Sequence, residues 1–216
     1  EKIMLTVRTS PHDHDSISTD KAMLYVVMAL LPSAIWGCVM FGFRAVLVLL
    51  VSIASSLLTE WLLGKINNEN TLFDYSALVT GLLIGMNMPP AIPLLIPVLA
   101  SVFAIFIVKW TFGGLGCNWA NPAIAGRVFV FFSFSSLMAK FSTPWVLKNS
   151  AELVSSATPL SALKMEITSG LSSEAILSSS GVPTSGVAQT LSSSLGINPY
   201  VVDEFFGFAS GCIGEV

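Results

Sequence analysis

Long apolar runs, separated by short charged segments, fill the sequence up to Lys140. Residues 23–43 and 45–63 are each long enough for a helix that crosses the ~30 Å apolar core of a bilayer. The sequence is 53% hydrophobic and 11% charged, with a mean hydropathy of +0.77. Because a soluble domain needs roughly 25% charged residues to face water, the pattern predicts an all-α polytopic membrane protein embedded in the lipid bilayer.

Three further apolar segments raise the predicted number of crossings to about five. Residues 75–88 form a short segment that ends at the Pro89–Pro90 pair, which indicates a half-helix of the kind that lines a site. Residues 92–110 and 123–138 are predicted to form the fourth and fifth spans. The five spans belong to a transmembrane bundle over residues 22–140.

The distribution of charge predicts the orientation and the remaining regions. Most Lys and Arg residues of the leader (1–21) and the short loops fall on one side, which we expect to be cytoplasmic. Five crossings then place the serine-rich segment 141–205 outside the cytoplasm. Residues 206–216 turn apolar again and are expected to begin a further membrane segment, so the chain is expected to be part of a longer protein.

Several classes of function are disfavoured by the composition. The net charge of −3 and the absence of a basic stripe give no support to a nucleic-acid partner. The three cysteines are widely spaced and form no metal-binding pattern, and no pairing of a nucleophile with a base indicates a catalytic residue. Two acidic residues near the membrane, Glu60 and Asp74, have two open interpretations: interfacial anchoring or a point of cation entry.

The segment Ser155–Ser156–Ala157–Thr158–Pro159 is ambiguous when it is considered alone. Threonine followed by proline is typical of a helix N-cap with proline at the first helical position. A functional interpretation of Thr158 depends on the motifs that surround it.

Five motifs in collinear order make the chain resemble the D subunit of the Rnf complex, which is related to the B subunit of the sodium-pumping NADH:quinone reductase. The motifs are residues 8–12 (RTSPH), 74–83 (DYSALVTGLL) with the proline pair, 113–123 (GGLGCNWANPA) with Arg127, 156–158 (SAT) and 206–215 (FGFASGCIGE).

The resemblance implies a membrane subunit of an ion-translocating oxidoreductase, with no catalytic activity of its own. Thr158, flanked by Ser155, Ser156 and Ala157, would carry FMN as a phosphoester on the extracytoplasmic side, attached by a flavin transferase. The partners would be the other Rnf subunits in a bacterial or archaeal inner membrane. The complex would couple electron transfer between ferredoxin and NAD to export of Na⁺ or H⁺.

Two departures from the family pattern are present. Glu152 and Ser156 stand where the stricter attachment motif has aspartate and glycine. The family fold resembles two inverted five-helix repeats, and this chain ends near the start of the second.

The glycine-rich loop before the fifth span is predicted to have one of two roles. Its glycines permit a tight turn, and Asn118 and Asn121 would cap the helix that begins near Pro122. Alternatively, the two asparagines contact a second, noncovalent flavin (riboflavin) or a partner's cofactor. Arg127 would either pair with a cofactor phosphate or extend to the membrane interface.

There are three alternatives to the Rnf interpretation. The B subunit of the quinone reductase is the near alternative, and the leader favours the Rnf interpretation over it. A transporter or channel half without a redox cofactor would use the same broken helix and glycine-rich loop. A purely structural scaffold would leave the collinear motifs without an explanation.

Overall fold

The computed structural model describes residues 18–68, 71–142, 144, 164, 184–208 and 210–215. These residues are mainly helical, and their β structure is one isolated bridge between Ser142 and Gly211. The helices are α1 (Thr19–Phe41), α2 (Phe43–Asn67), α3 (Ser76–Met86), α4 (Leu95–Val102), α5 (Pro122–Ser133), α6 (Ser135–Met138), α7 (Gly186–Leu195) and α8 (Pro199–Phe206). The all-α fold class predicted from the sequence is confirmed.

Three helical segments are long and apolar enough to cross a membrane. They are α1, α2 and the continuous helical stretch Leu95–Phe112, which agree with the first, second and fourth predicted spans. Gly42 joins α1 to α2 with a positive φ of +75° and a ψ of −160°, a conformation that glycine adopts without steric cost. Much of the apolar surface of these helices is exposed, as expected for side chains that face lipid.

The third and fifth segments are shorter. Helix α3 has 11 residues, about 16 Å at 1.5 Å per residue, and the prediction of a short third helix is confirmed. The fifth segment was expected to be helical over residues 123–138, but α5 ends at Ser133, and Phe134 breaks the helix before α6. Neither α3 nor α5 alone matches the ~30 Å apolar core of a bilayer.

Helices α2 and α3 approach closely because small residues lie between them. A Cβ atom on Gly81 would lie 2.8 Å from the Cα of Ile53, and one on Gly85 would lie 2.5 Å from Ser52 Oγ. Two glycines four residues apart form the small-xxx-small pattern that lets membrane helices pack backbone to backbone. The Ser52 hydroxyl donates to the carbonyl of Gly81 at 2.8 Å, which adds a polar contact to this interface.

The helical stretch that begins with α4 widens in its second half. Phe103–Lys109 forms a π-helix and Trp110–Phe112 a 3₁₀ turn. Bonds that run i→i+5 place more residues in each turn, so a spacing of four can stay on one face. The buried residues repeat in that way: Ile96, Ala100, Ala104 and Val108, beside Pro97, Ser101, Ile105 and Lys109.

A segment from the far end of the chain completes the C-terminal end of α3. The N–H groups of Ile213 and Gly214 donate to the carbonyls of Met88 and Met86, at 3.1 and 2.7 Å. Gly37 of α1 lies so close that a Cβ atom on it would clash with the carbonyl oxygen of Ile213. Residues 210–215 therefore form a wedge between α1 and the end of α3, where we expected a further membrane segment to begin.

Candidate functional site

Helix α3 begins with a carboxylate at its N-terminal end. Asp74 Oδ1 accepts hydrogen bonds from the backbone N–H of Ser76 at 2.9 Å and from its hydroxyl at 2.6 Å. Tyr75 between them has φ +55°, an uncommon conformation for a residue with a side chain. The positive end of the helix dipole and the free N–H groups of the first turn favour a negative charge at this position.

A buried ion pair lies beside this helix start. Glu60 of α2 is 0% exposed and Lys109 is 2% exposed, and their side chains meet with Nζ 2.7 Å from Oε1. The lysine also donates to Ser76 Oγ at 2.6 Å, and its ammonium lies 3.8 Å from Asp74 Oδ2. Glu60, Asp74, Ser76 and Lys109 will be called the charge cluster. Their formal charges sum to −1.

Two neutral donors complete the environment of Glu60. Thr71 Oγ1 donates to Oε1 at 2.5 Å, and the indole N–H of Trp110 donates to Oε2 at 3.0 Å. The carboxylate is therefore satisfied without water. Removing one partner of such a pair leaves an uncompensated buried charge, which typically costs about 3–5 kcal/mol.

Each partner of the ion pair lines an open pocket. The Glu60 pocket, of about 240 Å³, is lined by Glu60, Thr71 and residues on the last turns of α2, including Lys65. The loop pocket, of about 370 Å³, is lined by Lys109, Ser76, the first turns of α3 and the glycine-rich loop with its two asparagines.

The two asparagines of the loop differ in their hydrogen bonding. Asn121 caps α5, because its side chain accepts from the N–H of Ala123 at 3.0 Å and Pro122 holds the first helical position. This confirms one of the two predicted caps. The Oδ1 atom of Asn118 is buried and has no partner in the described part of the chain, so Asn118 is not a cap. An unpartnered buried acceptor that lines a pocket is suited to receive a ligand donor.

Arg127 lies at the opposite end of α3. Its Nη1 donates to Asn87 Oδ1 at 2.6 Å, and its Nη2 lies 3.6 Å from Cys212 Sγ in the wedge. The half-buried guanidinium is thus held by neutral groups, and no described carboxylate forms an ion pair with it. Arg127 lines a pocket of about 350 Å³ together with Glu215, and this pocket has Leu83 in common with the loop pocket.

The residues predicted from the sequence therefore divide into three groups. Asn118 and Asn121 share the loop pocket, Glu60 and Asp74 share the charge cluster, and Arg127 stands apart from both. Thr158 and its neighbours Ser155, Ser156 and Ala157 lie outside the described residues, so the predicted FMN attachment remains a prediction.

Sequence reasoning missed the buried state of Lys109, which lies at the end of the predicted fourth span (92–110). A lysine at the end of an apolar run, next to a glycine-rich loop, is usually an interfacial residue. The one available signal was the spacing of four that Lys109 shares with Ile105, Ser101 and Pro97. That pattern marks the buried face only once the π-helix is known.

Three helical segments long and apolar enough to cross a membrane, with a lysine–glutamate pair buried between two of them, define the class of this protein as an all-α membrane protein. The chain belongs to the NQR2, RnfD, RnfE family, whose family model matches residues 6–216.

Named relatives fall in the same family. The chain is 40% identical over 164 residues to the D subunit of the Na⁺-translocating ferredoxin:NAD⁺ oxidoreductase complex of Acetobacterium woodii, covering 76% of this chain and 50% of that protein. It is 36% identical over 167 residues to the D subunit of the proton-translocating ferredoxin:NAD⁺ oxidoreductase complex of Clostridium ljungdahlii, covering 77% and 50%.

A third relative is the D subunit of the ion-translocating oxidoreductase complex of Shewanella amazonensis. It is 34% identical over 194 residues, covering 78% of this chain and 56% of that protein. The chain spans about half the length of the curated relatives it matches.

Proposed function

We propose that this chain forms part of the D-type membrane subunit of an Rnf-like complex, in which it carries flavin and relays electrons coupled to translocation of a monovalent cation. The observation that carries the proposal is the family match, together with relatives named as the D subunits of such complexes. Sodium and protons both occur in those names, so the proposal includes either cation. The other subunits of the complex are the proposed partners.

Thr158 is the proposed attachment point for FMN, by a phosphoester formed by a flavin transferase. The support is its position in the collinear motifs. A covalent bond to the phosphate leaves the isoalloxazine ring free for the electron-transfer chemistry that the flavin supplies. This chain would contribute the hydroxyl, and the small side chains of its neighbours Ser156 and Ala157 would give a transferase access to it. The extracytoplasmic side is the proposed location of this segment.

The loop pocket is the proposed site of a second, noncovalent flavin. Its volume of about 370 Å³ falls within the ~300–1,000 Å³ of small-molecule sites. The pyrimidine edge of a flavin presents an N–H between two carbonyls, which is complementary to a carboxamide. The buried Oδ1 of Asn118, which has no partner among the described residues, would accept that N–H, and the nearby Lys109 ammonium would stabilise negative charge in the pocket.

The covalent assignment is tested by in-gel flavin fluorescence after denaturation. The full-length chain is expressed with a flavin transferase, beside Thr158→Ala and the control Thr184→Ala. We expect fluorescence in the parent and the control and none in Thr158→Ala. A dark parent, in the presence of an active transferase, would remove the covalent redox assignment and favour a transporter without a redox cofactor.

The noncovalent assignment is tested by the flavin released on denaturation of the purified complex. Asn118→Ala is expected to lower the released riboflavin or FMN at least tenfold and to leave the covalent fluorescence unchanged. Unchanged release from Asn118→Ala would place the second flavin elsewhere.

A further inference from the structure

Helix α8 has its apolar side chains on the outside and its aspartate on the inside. Among the described residues, Phe205 is 84% exposed, and Val201, four residues earlier on the same face, is also exposed. Asp203, on the opposite face, is 5% exposed. A helix whose outer side is in water has the reverse pattern, with charged side chains outward and apolar ones inward. The outer face of α8 therefore suits an apolar environment.

The inward aspartate has a structural partner at the start of α7. The backbone N–H of Ser185 donates to Asp203 Oδ2 at 2.9 Å, and the Ser185 hydroxyl donates to Oδ1. The same hydroxyl oxygen accepts from the N–H of Ala188 at 3.1 Å and so caps α7. Both carboxylate oxygens are therefore used between α7 and α8. These two helices and the turn between them, residues 186–206, will be called the hairpin.

The end of α8 is fixed at a definite height beside a membrane-spanning helix. The indole N–H of Trp36 in α1 donates to the carbonyl of Phe206 at 3.3 Å. Trp36 lies about 8 Å below the end of α1 at Phe41, at 1.5 Å per residue. Tryptophan is enriched where the apolar core of a bilayer meets the headgroups. The end of α8 therefore lies at the depth of this boundary.

The aromatic rings at the end of α8 continue the lipid-facing surface of α1. The ring of Phe206 meets that of Phe205 edge to face at 5.5 Å and stacks with that of Phe208 at 6.0 Å. On α1, Ile35 and Trp36 are exposed beside this group. Trp and Phe are the residues with which interfacial helices enter the boundary between headgroups and acyl chains.

The charge of the hairpin indicates which part of a membrane it contacts. Residues 184–208 contain no Lys or Arg, and their acidic residues are Asp203 and Glu204. Helices that are attracted to anionic headgroups use Lys and Arg for that purpose. Apolar contact with acyl chains is therefore the attraction that the hairpin offers. The exposed Ser193 and Ser194 of α7 suit the water side.

We propose that α8 is an interfacial helix, which inserts Val201 and Phe205 among lipid acyl chains on the side of the membrane where α1 meets α2. The partner is the bilayer itself, whether its headgroups are zwitterionic or anionic. Because α8 leads directly into the wedge, this anchor sets the height at which the wedge enters the bundle. The anchor depends on the hairpin alone and is independent of any bound flavin.

The first test is photocrosslinking of the full-length chain, within its complex, in native membranes. The photoreactive residue p-benzoylphenylalanine replaces Phe205 in one protein and the exposed Ser193 of α7 in a matched control. Mass spectrometry of the products distinguishes lipid adducts from peptide adducts. We expect at least fivefold more lipid adduct at position 205 than at position 193. A peptide adduct at position 205, from the rest of the chain or a partner subunit, or a yield of lipid adduct equal to that at position 193, would overturn the inference.

The second test is hydrogen exchange of the α8 amides in the complex after its transfer to phosphatidylcholine nanodiscs. Phe205→Gln is expected to speed this exchange at least fivefold, because a polar side chain loses the contact with acyl chains. Phe205→Leu keeps an apolar side chain and is expected to exchange as the parent does, and Ser193→Gln is expected to stay within twofold of the parent.

Phe205→Leu also separates lipid contact from contact within the protein, because it removes the ring that meets Phe206. Exchange in Phe205→Leu as fast as in Phe205→Gln would show that this ring contact holds α8 in place, and would overturn the inference. Adding phosphatidylglycerol to the nanodiscs is expected to leave the parental exchange unchanged. Slower exchange that appears only with this anionic lipid would refute the attraction to acyl chains.

Discussion

The two ends of α3 each hold a basic side chain, but in opposite electrostatic settings. At the N-terminal end Lys109 is buried against two carboxylates, whereas at the C-terminal end Arg127 is half-buried against the Asn87 amide and the Cys212 thiol. The helix dipole accounts for part of the difference, because the N-terminal end favours anions and the C-terminal end favours cations directly. The carboxylates at the N-terminal end of α3 therefore require a counter-cation. The C-terminal end of α3 has no such requirement.

This contrast predicts that removing a charged side chain at the N-terminal end of α3 lowers the stability of the protein more than removing one at the C-terminal end. Glu60→Ala is expected to lower the free energy of unfolding by about 3–5 kcal/mol, because it leaves the Lys109 ammonium buried beside Asp74 without its nearest carboxylate. Denaturant titration of the purified protein measures the loss. The matched exposed control, Lys65→Met, is expected to change stability by less than about 0.5 kcal/mol, and equal losses would refute the contrast.

The middle of α3 is expected to respond to volume rather than charge. Gly85→Val should cost about 1–3 kcal/mol, since the first added carbon already meets Ser52 Oγ at 2.5 Å and Leu49 Cδ2 at 2.8 Å. The control is Gly186→Ala, where a Cβ atom meets nothing within 4 Å. A Gly85→Val protein with parental stability would mean that α2 and α3 can move apart without loss.

The C-terminal end should tolerate the loss of its charge better. Arg127→Gln is expected to cost about 1–2 kcal/mol, the scale of hydrogen bonds from one charged group, because Asn87 and Cys212 are neutral and border an open pocket. The same titration measures it. A loss as large as that of Glu60→Ala would show that the two ends are equivalent and that the dipole argument is wrong.

The smallest expected changes in stability come from the two asparagines of the loop pocket, and the two substitutions are expected to differ. Asn121→Ala removes a helix N-cap and should cost about 1 kcal/mol. Asn118→Ala removes an acceptor that is buried and unpartnered within the described residues, and it should leave the ligand-free protein equally stable or slightly more stable. Thermal unfolding of the flavin-free chain makes the comparison, and a destabilised Asn118→Ala would indicate a structural partner for its Oδ1.

The features that the sequence predicts correctly depend on local chemistry. Apolar length identifies α1, α2 and the Leu95–Phe112 stretch, and the proline pair at 89–90 marks the short α3. Asn121 before Pro122 is a local signal for a helix start, and the structure confirms it.

The features that escape sequence analysis depend on distant contacts. The pairing of Lys109 with Glu60 requires the π-helix and the close approach of α2 and α3. The setting of Arg127 requires the wedge to dock beside Asn87. Both arrangements join residues that are far apart in the sequence, so no local pattern predicts them. The acceptor of Asn118 is recognised only in the structure, where it has no partner among the described residues.

The docked wedge also bears on how the chain is made. The carbonyls of Met86 and Met88 receive hydrogen bonds from the N–H groups of Gly214 and Ile213, which are synthesised long after α3. At about 5–20 residues per second, roughly ten seconds pass between translation of α3 and of these hydrogen-bond partners. During that interval the two carbonyls lack their partners from the wedge, so the C-terminal end of α3 reaches its final hydrogen bonding only after all the residues between α3 and the wedge have been synthesised.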